Sequence, residues 1–316
     1  MGWIILSLFM GIGVGGTCAT SCDGLRLDDD EVLAGSRHRV GVISVVGPIT
    51  DATETVRDLR RFAARSDLEA IVVRIDSPGG AVAPSQEVFA AMRHAAEDKP
   101  VVASMGTVAA SGGFWIAMGA DYIFASPGSI TGSIGVISQT ADLRSIAGTL
   151  GLQMRTYKSG PNKDVGNPFR DVTPADESVF MELTSDIYEQ FVEAIATRRK
   201  LDLDSVRRIA DGRVISGRRA HEAGLIDALG GFYDAVRKAA ALAEEREAKE
   251  ANRAAEAIEE DPTLVYPKKR GGGLLHLLAE EAGEGAADGA SRGAARAVGA
   301  WVETITQEPA VRVEAR

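Results

Sequence analysis

Between residues 40 and 125 the chain alternates between two hydrophobic periods, and this alternation restricts its possible folds more than any other feature. Val40-Gly41-Val42-Ile43-Ser44-Val45-Val46 is a β-branched apolar run stopped by Gly47-Pro48, the pattern of a buried strand. Val56, Leu59, Phe62 and Ala63 then recur at helical spacing. Ala70-Ile71-Val72-Val73-Arg74-Ile75 is a second strand run. Val88, Met92 and Ala95 mark a helix ended by Lys99-Pro100, and Val101-Val102-Ala103-Ser104 is a third strand. Strand–helix–strand alternation at this spacing predicts an α/β fold of parallel βαβ units covered by helices. Residues 121–125 and Ile134-Gly135-Val136-Ile137 are expected to continue the sheet. Thr173-Pro174 is expected to open a long helix to about Lys200, with Phe180, Leu183, Ile187, Phe191 and Ile195 on one face. Shorter helices follow to about Arg246.

The two ends differ in kind. Residues 3–16 are apolar or glycine apart from Ser7, small residues follow, and then come Asp28, Asp29, Asp30 and Glu31. Residues 1–22 therefore read as a secretory signal or membrane anchor and 23–38 as a linker, with the body on the extracytoplasmic side of a cell membrane. The run is short for a span, which needs about 20 apolar residues. Gly11, Gly13, Gly15 and Gly16 would make it a poor soluble helix. Cys22 after Ala19-Thr20-Ser21 is weakly similar to a lipoprotein cleavage site, although Ala19 stands where leucine is usual. Residues 39–246 are expected to be the folded body. Residues 247–316 read as a partly flexible C-terminal extension, broken by the stretch from Pro262 to Pro267 and by Lys268-Lys269-Arg270-Gly271-Gly272-Gly273.

Composition removes several functions. Of 316 residues, 35 are Lys or Arg and 45 Asp or Glu, a net charge of −10 with no basic block in the body, which argues against nucleic acid as a partner. The two cysteines, Cys18 and Cys22, lie at the N-terminal edge, so neither a disulfide framework nor a cysteine zinc site holds the body together. His38, His94, His221 and His276 are scattered and form no HExxH pair.

Three glycine-rich turns fall at strand ends, where open α/β sheets place their sites. They are Ser77-Pro78-Gly79-Gly80, Ala109-Ala110-Ser111-Gly112-Gly113 and Ser129-Ile130-Thr131-Gly132-Ser133-Ile134-Gly135. Ser111, between small residues at a helix start, would expose its hydroxyl on a sharp turn. Gly112 and Gly80 could then supply two N–H donors for an oxyanion. Residue type and position alone favour the other use of such a serine, a helix N-cap. A serine nucleophile needs a base, and no histidine lies in these turns. Lysine is the remaining candidate. Its reference pKa is about 10.4, and a shift to about 7–8 by burial amounts to roughly 3–5 kcal/mol. Lys158 and Lys163, in Tyr157-Lys158-Ser159-Gly160-Pro161-Asn162-Lys163-Asp164, are the candidates, each equally readable as a loop lysine.

These segments, together with Ile209-Ala210-Asp211-Gly212-Arg213-Val214 and Ala223-Gly224-Leu225-Ile226-Asp227, have the order and spacing of the signal peptide peptidase A family. The resemblance covers about residues 40–240. It implies a ClpP/crotonase-like fold of repeated ββα units and a membrane-associated serine endopeptidase with a Ser/Lys dyad. By position, Ser111 resembles the nucleophile, Lys163 the general base (with Lys158 its rival), Ser133 the serine that orients the lysine, and Gly80 and Gly112 the oxyanion donors. The family implies apolar peptide substrates such as signal-peptide remnants, no metal or nucleotide cofactor, and a homo-oligomeric ring in which the lysine reaches a neighbour's serine. A crotonase-like acyl-CoA enzyme, which would need an acidic catalytic residue, and a non-catalytic scaffold are the alternatives.

Overall fold

A computed structural model describes residues 30–268. The expected signal or anchor at 1–22, with Cys18 and Cys22, lies outside the described residues, as do residues 23–29 of the linker and 269–316 of the extension. Among the described residues no helix is long and apolar enough to cross a membrane.

In chain order the elements are β1 (Glu31–Leu33), β2 (Ser36–Val46), α1 (Thr53–Ala63), β3 (Ala70–Ser77), α2 (Val82–Asp98), β4 (Val101–Ala110), α3 (Gly112–Ala117), β5 (Tyr122–Ala125), β6 (Ile130–Gly132), α4 (Arg144–Thr149), α5 (Pro174–Arg199), α6 (Leu203–Ile209), β7 (Val214–Ser216), α7 (Gly217–Glu222), β8 (Ala228–Leu229), α8 (Phe232–Glu250) and β9 (Pro262–Tyr266). The strands described form one sheet, ordered β1-β9-β2-β3-β4-β5-β8, with β6 beside the end of β4 and β7 beside β6. The run from β2 to β5 is parallel. Only β1–β9 and β6–β7 are antiparallel.

A parallel sheet must be covered on both faces, and alternation along β2 and β3 sorts their side chains between two cores. Ile43, Val45, Ile71, Val73 and Ile75 pack with buried residues of α1, α2, α3 and α5. Val40, Val42, Ala70 and Val72 pack with Ala235, Val236, Ala239 and Ala240 of α8. Burial of each such valine or isoleucine contributes about 1.5–3 kcal/mol. The α2 face is Ser85, Val88, Met92 and Ala95, one stripe at helical period. A capping box fixes the start of α5: Asp176 N–H donates to Thr173 Oγ1 at 3.2 Å, and Thr173 N–H to Asp176 Oδ2 at 2.9 Å.

Three expectations change. Residues 134–137 are not a strand. The strand is β6, which ends where Ser133 takes a left-handed backbone (φ 50°), and the chain leaves the sheet with Ile137 82% exposed. The sheet also extends beyond 39–246 in both directions. The Pro262–Tyr266 stretch, read as a break, is β9, parallel to β2 and antiparallel to β1, with Leu264 and Val265 buried. Pro262 is tolerated because it opens the strand. Finally, only the C-terminal half of α5 is core, through Phe191, Val192, Ile195 and Ala196, while Met181 and Leu183 in its front half stay exposed.

Candidate active site

The site begins with an irregularity in the ladder. Pairing of β3 with β4 shifts register between Ile75 and Ser77, so residues 106–108 of β4 bulge. Asp76 fills the gap, its Oδ1 accepting from the Val108 N–H at 3.0 Å. Beyond the bulge β4 pairs with β6 up to Ala110 and Gly132. The chain then turns at Ser111, with φ 53° and ψ −120°, directly into α3. A non-glycine residue there carries about 1–3 kcal/mol of strain and persists only where its surroundings over-determine it. Here the Ser111 N–H donates to Gly132 O at 2.9 Å, and Ser111 O accepts from the Trp115 N–H at 2.9 Å.

The Ser111 hydroxyl makes no capping bond, so it is not serving as a helix N-cap. It has no partner among the described residues. Space around it exists only because of glycine. A Cβ on Gly79, itself at φ +101°, would come within 2.8 Å of the Ser111 Cβ and 2.7 Å of the Gly112 nitrogen. A Cβ on Gly112 would lie 2.4 Å from Ser85 Oγ and 3.3 Å from the Gly80 nitrogen. The N–H groups of Gly80 and Gly112 have no acceptor among the described residues. They share with Ser111 a cavity of about 90 Å³, walled by Val82, Trp115, Val136, Ile137 and Phe191. Trp115 stacks on Phe191 with ring centroids 4.4 Å apart and planes 7° from parallel.

Ser111 also opens onto a larger cavity of about 480 Å³, which includes Ser133, Met181, Tyr188 and Asp211. The Ser133 N–H donates to Arg213 O at 2.9 Å, and the Gly212 N–H to Ile134 O at 3.0 Å. The Ser133 hydroxyl, like that of Ser111, has no partner among the described residues. The Arg213 guanidinium beside Asp211 holds its carboxyl below the usual range, and burial pushes the Tyr188 phenol up.

Thus Ser111, Ser133, Gly80 and Gly112 come together. The lysines do not join them within one chain, for neither lines a Ser111 cavity. Lys158 Nζ is paired with Asp164 Oδ1 at 2.7 Å and donates to Pro161 O at 3.0 Å. Lys163 is exposed, with no side-chain partner among the described residues. No histidine lines either cavity. Among the described residues no cluster of His, Cys, Asp and Glu could hold a metal ion.

The sequence model of peptidase family S49 matches residues 93–246, and that of Clp protease residues 35–140. A Synechocystis sp. protein bearing the name of a protease is 40% identical over 209 residues, 66% of this chain and 76% of its own. The chain belongs to peptidase family S49. Its class is that of a serine-type protease, and its mixed, mostly parallel sheet is Clp protease-like. This sets aside the acyl-CoA reading. The chloroplastic serine protease SPPA of Arabidopsis thaliana is 35% identical over 64% of this chain, which spans 30% of that longer relative. An Enterococcus faecium protein named for signal peptide peptidase SppA is 31% identical over 64% of this chain and 62% of its own.

Within this S49 chain, sequence reasoning missed the Trp115–Phe191 wall and the brace at Asp76. Trp115 lies one helical turn past Ser111, a spacing that could have marked it. Phe191 was read only as helix core. A third omission is the ion-pair network of Asp164, Arg170 and Asp176. Here the Arg170 guanidinium, and then Lys158, hold the Asp164 carboxyl at about 2. The same guanidinium, with the Thr173 N–H, holds Asp176 lower still.

Proposed function

We propose that the chain is a serine endopeptidase with a Ser111/Lys163 dyad completed between subunits. The observation that carries this reading is the Ser111 elbow. An unbonded hydroxyl on a strained turn shares a cavity with two unused N–H groups, where two cavities meet that are lined by no described lysine or histidine. Ser111 Oγ attacks the scissile carbonyl carbon while the neutral Lys163 amine takes the hydroxyl proton. The Gly80 and Gly112 N–H groups hold the oxyanion. The C–N bond breaks as Lys163 passes its proton to the leaving amine, and a water molecule deprotonated by Lys163 then releases the acyl group. Ser133 orients the lysine. Lys158, engaged by Asp164, is the weaker candidate for the base.

Support for a neighbour's lysine comes from the segment around it. Ile137, Ile146, Leu150, Leu152, Met154 and Met181 are each more than half exposed. This much exposed apolar surface, of which Ile137 and Met181 line the larger Ser111 cavity, fits burial against further copies, in a homo-oligomeric ring. Substrates in this reading are apolar polypeptide segments, signal-peptide remnants among them. The cavity of about 90 Å³ accepts a small apolar side chain before the scissile bond. Residues 1–22 would hold the enzyme at a membrane, with the body on the extracytoplasmic side.

The test is complementation. Ser111→Ala and Lys163→Ala should each fold, assemble and lose at least about 10³-fold in kcat. Co-assembled, the two variants should regain cleavage, because some interfaces then pair an intact serine with an intact lysine. Full activity in either single variant would refute its role. Inactive mixtures of correctly assembled chains would refute the arrangement between subunits.

A further inference from the structure

Arg170 lies outside both Ser111 cavities, yet its side chain has more polar contacts than any group described above. Its Nε donates to Asp164 Oδ2 at 2.9 Å, and its Nη2 to Asp164 O at 3.0 Å and Asp164 Oδ1 at 3.2 Å. On its other side Nη1 and Nη2 donate to the two carboxylate oxygens of Asp176, at 2.5 and 2.8 Å, and Nη1 also reaches Asp171 O at 2.8 Å. Asp164 directly follows Lys163 and is only 9% exposed in its side chain. Asp176 is buried in the first turn of α5 and belongs to its capping box. Further along, α5 supplies Met181, Thr184, Ser185 and Tyr188 to the wall of the larger Ser111 cavity.

We propose that Arg170 is the positioning residue for the general base: it locks the loop carrying Lys163 to α5 of the same chain. The inference rests on the Ser111/Lys163 reading above. The loop is also tied by the Leu143 N–H donating to Pro168 O at 2.8 Å and Asn167 Nδ2 donating to Thr156 Oγ1 at 3.3 Å, but among the described residues its hydrogen bonds to α5 are made by Arg170. Its own bonds are turns such as Lys163 N–H to Gly160 O and Val165 N–H to Asn162 O, both at 3.3 Å. An exposed turn of this kind samples many orientations, whereas proton transfer needs the amine in one. A planar guanidinium gripping two carboxylates at once converts the loop into an extension of a 26-residue helix. The same geometry accounts for Lys158, whose ammonium completes the Asp164 side of the network. Lysine cannot replace the planar fork, so Arg170→Lys is not a conservative change here.

The experiment reads kcat and KM separately and then asks which chain needs Arg170. In the homomeric enzyme, Arg170→Gln is expected to lower kcat about 10²-fold with KM little changed. Arg170→Lys should rescue little of the loss. An unchanged kcat would overturn the proposal. In the co-assembled pair, Arg170→Gln on the Ser111→Ala chain, which supplies the lysine, should lower cleavage by a similar factor. On the Lys163→Ala chain it should add nothing, since that chain has no base to position. Equal losses in both placements would make Arg170 a general structural residue and overturn the proposal. If Arg170→Gln does not fold, Asp164→Asn is placed in the same two arms. It cuts the ion pair on the loop side, leaves the Thr173–Asp176 cap intact, and should show the same asymmetry. Failure of the underlying reading is separable, because it appears in the parent mixture or in Lys163→Ala before Arg170 is touched. If only the between-subunit arrangement fails, the homomeric kcat still decides the role of Arg170.

Discussion

At the scale of single residues, the site depends on close approach as much as on reactive groups. Ser111 keeps its unfavourable backbone because Gly79 lets the neighbouring turn pass against it, with no atom where a Cβ would stand. Gly79→Ala adds that atom at a left-handed position, 2.7 Å from a backbone nitrogen. The expected result is a loss of about 1–3 kcal/mol in stability and at least about a tenfold fall in the rate at which a fluorophosphonate labels Ser111. Chemical denaturation and timed labelling read these two quantities, and a labelling rate equal to the parent's would contradict the account. Residue type alone could not establish this much. Residue type and position at Ser111 favour a cap, since a small polar residue before a helix suits one, and only the family resemblance points to a nucleophile. The backbone angles and the absence of a capping bond remove the cap reading. Lys163 stands at the opposite extreme, singled out by its position in a motif while it lines neither Ser111 cavity of its own chain.

At the scale of elements, what was readable locally came out and what depended on distant pairing did not. The runs at β2, β3 and β4 and the stripe on α2 announce themselves, because a period of two or of 3.6 is a property of neighbouring residues. The bulge in β4 and the left-handed exit at Ser133 are set by strands many residues away, so Ile134-Gly135-Val136-Ile137 looked like one more strand. β9 was hidden for the same reason. Pro262 at its start and Pro267 just after it read as a break, while its strand character comes from the slot between β1 and β2. That slot gives a prediction. Leu264 is 3% exposed, and Leu264→Ala should lower stability by about 2–5 kcal/mol. Because β1 is paired only with β9, amide exchange at Glu31, Val32 and Leu33 should quicken along with it. Exchange in β1 that is indifferent to the substitution would count against this coupling.

At the scale of the whole molecule, arginine–carboxylate pairs, several of them between residues close in sequence, give the fold a defined sensitivity to acid. Besides Asp164, the Arg253 guanidinium holds the Glu244 carboxyl at about 2, and Arg144 holds Asp142 at about 2. Each value lies below the ordinary carboxylate range of about 4. The sign follows from linkage: the unfolded chain binds more protons than the native one between these limits. The pairs therefore contribute in full above about pH 4, and their contribution is lost as pH falls through about 2. Urea midpoints should be level from pH 7 to 5 and decline from about pH 4 to 2. Arg170→Gln should make that decline shallower. A midpoint independent of pH across that window would contradict the assignment.

The pairing of β1 with β9 sets Glu31 directly across from Tyr266. Among the described residues the polypeptide thus enters and leaves the sheet at facing positions, about 5 Å apart as antiparallel partners are. Residues 30–268 closed by a short bridge there and reopened in an exposed loop would retain every strand pairing described above. The order in which these segments are synthesised is therefore separable from the architecture they build, which makes the fold a natural candidate for circular permutation.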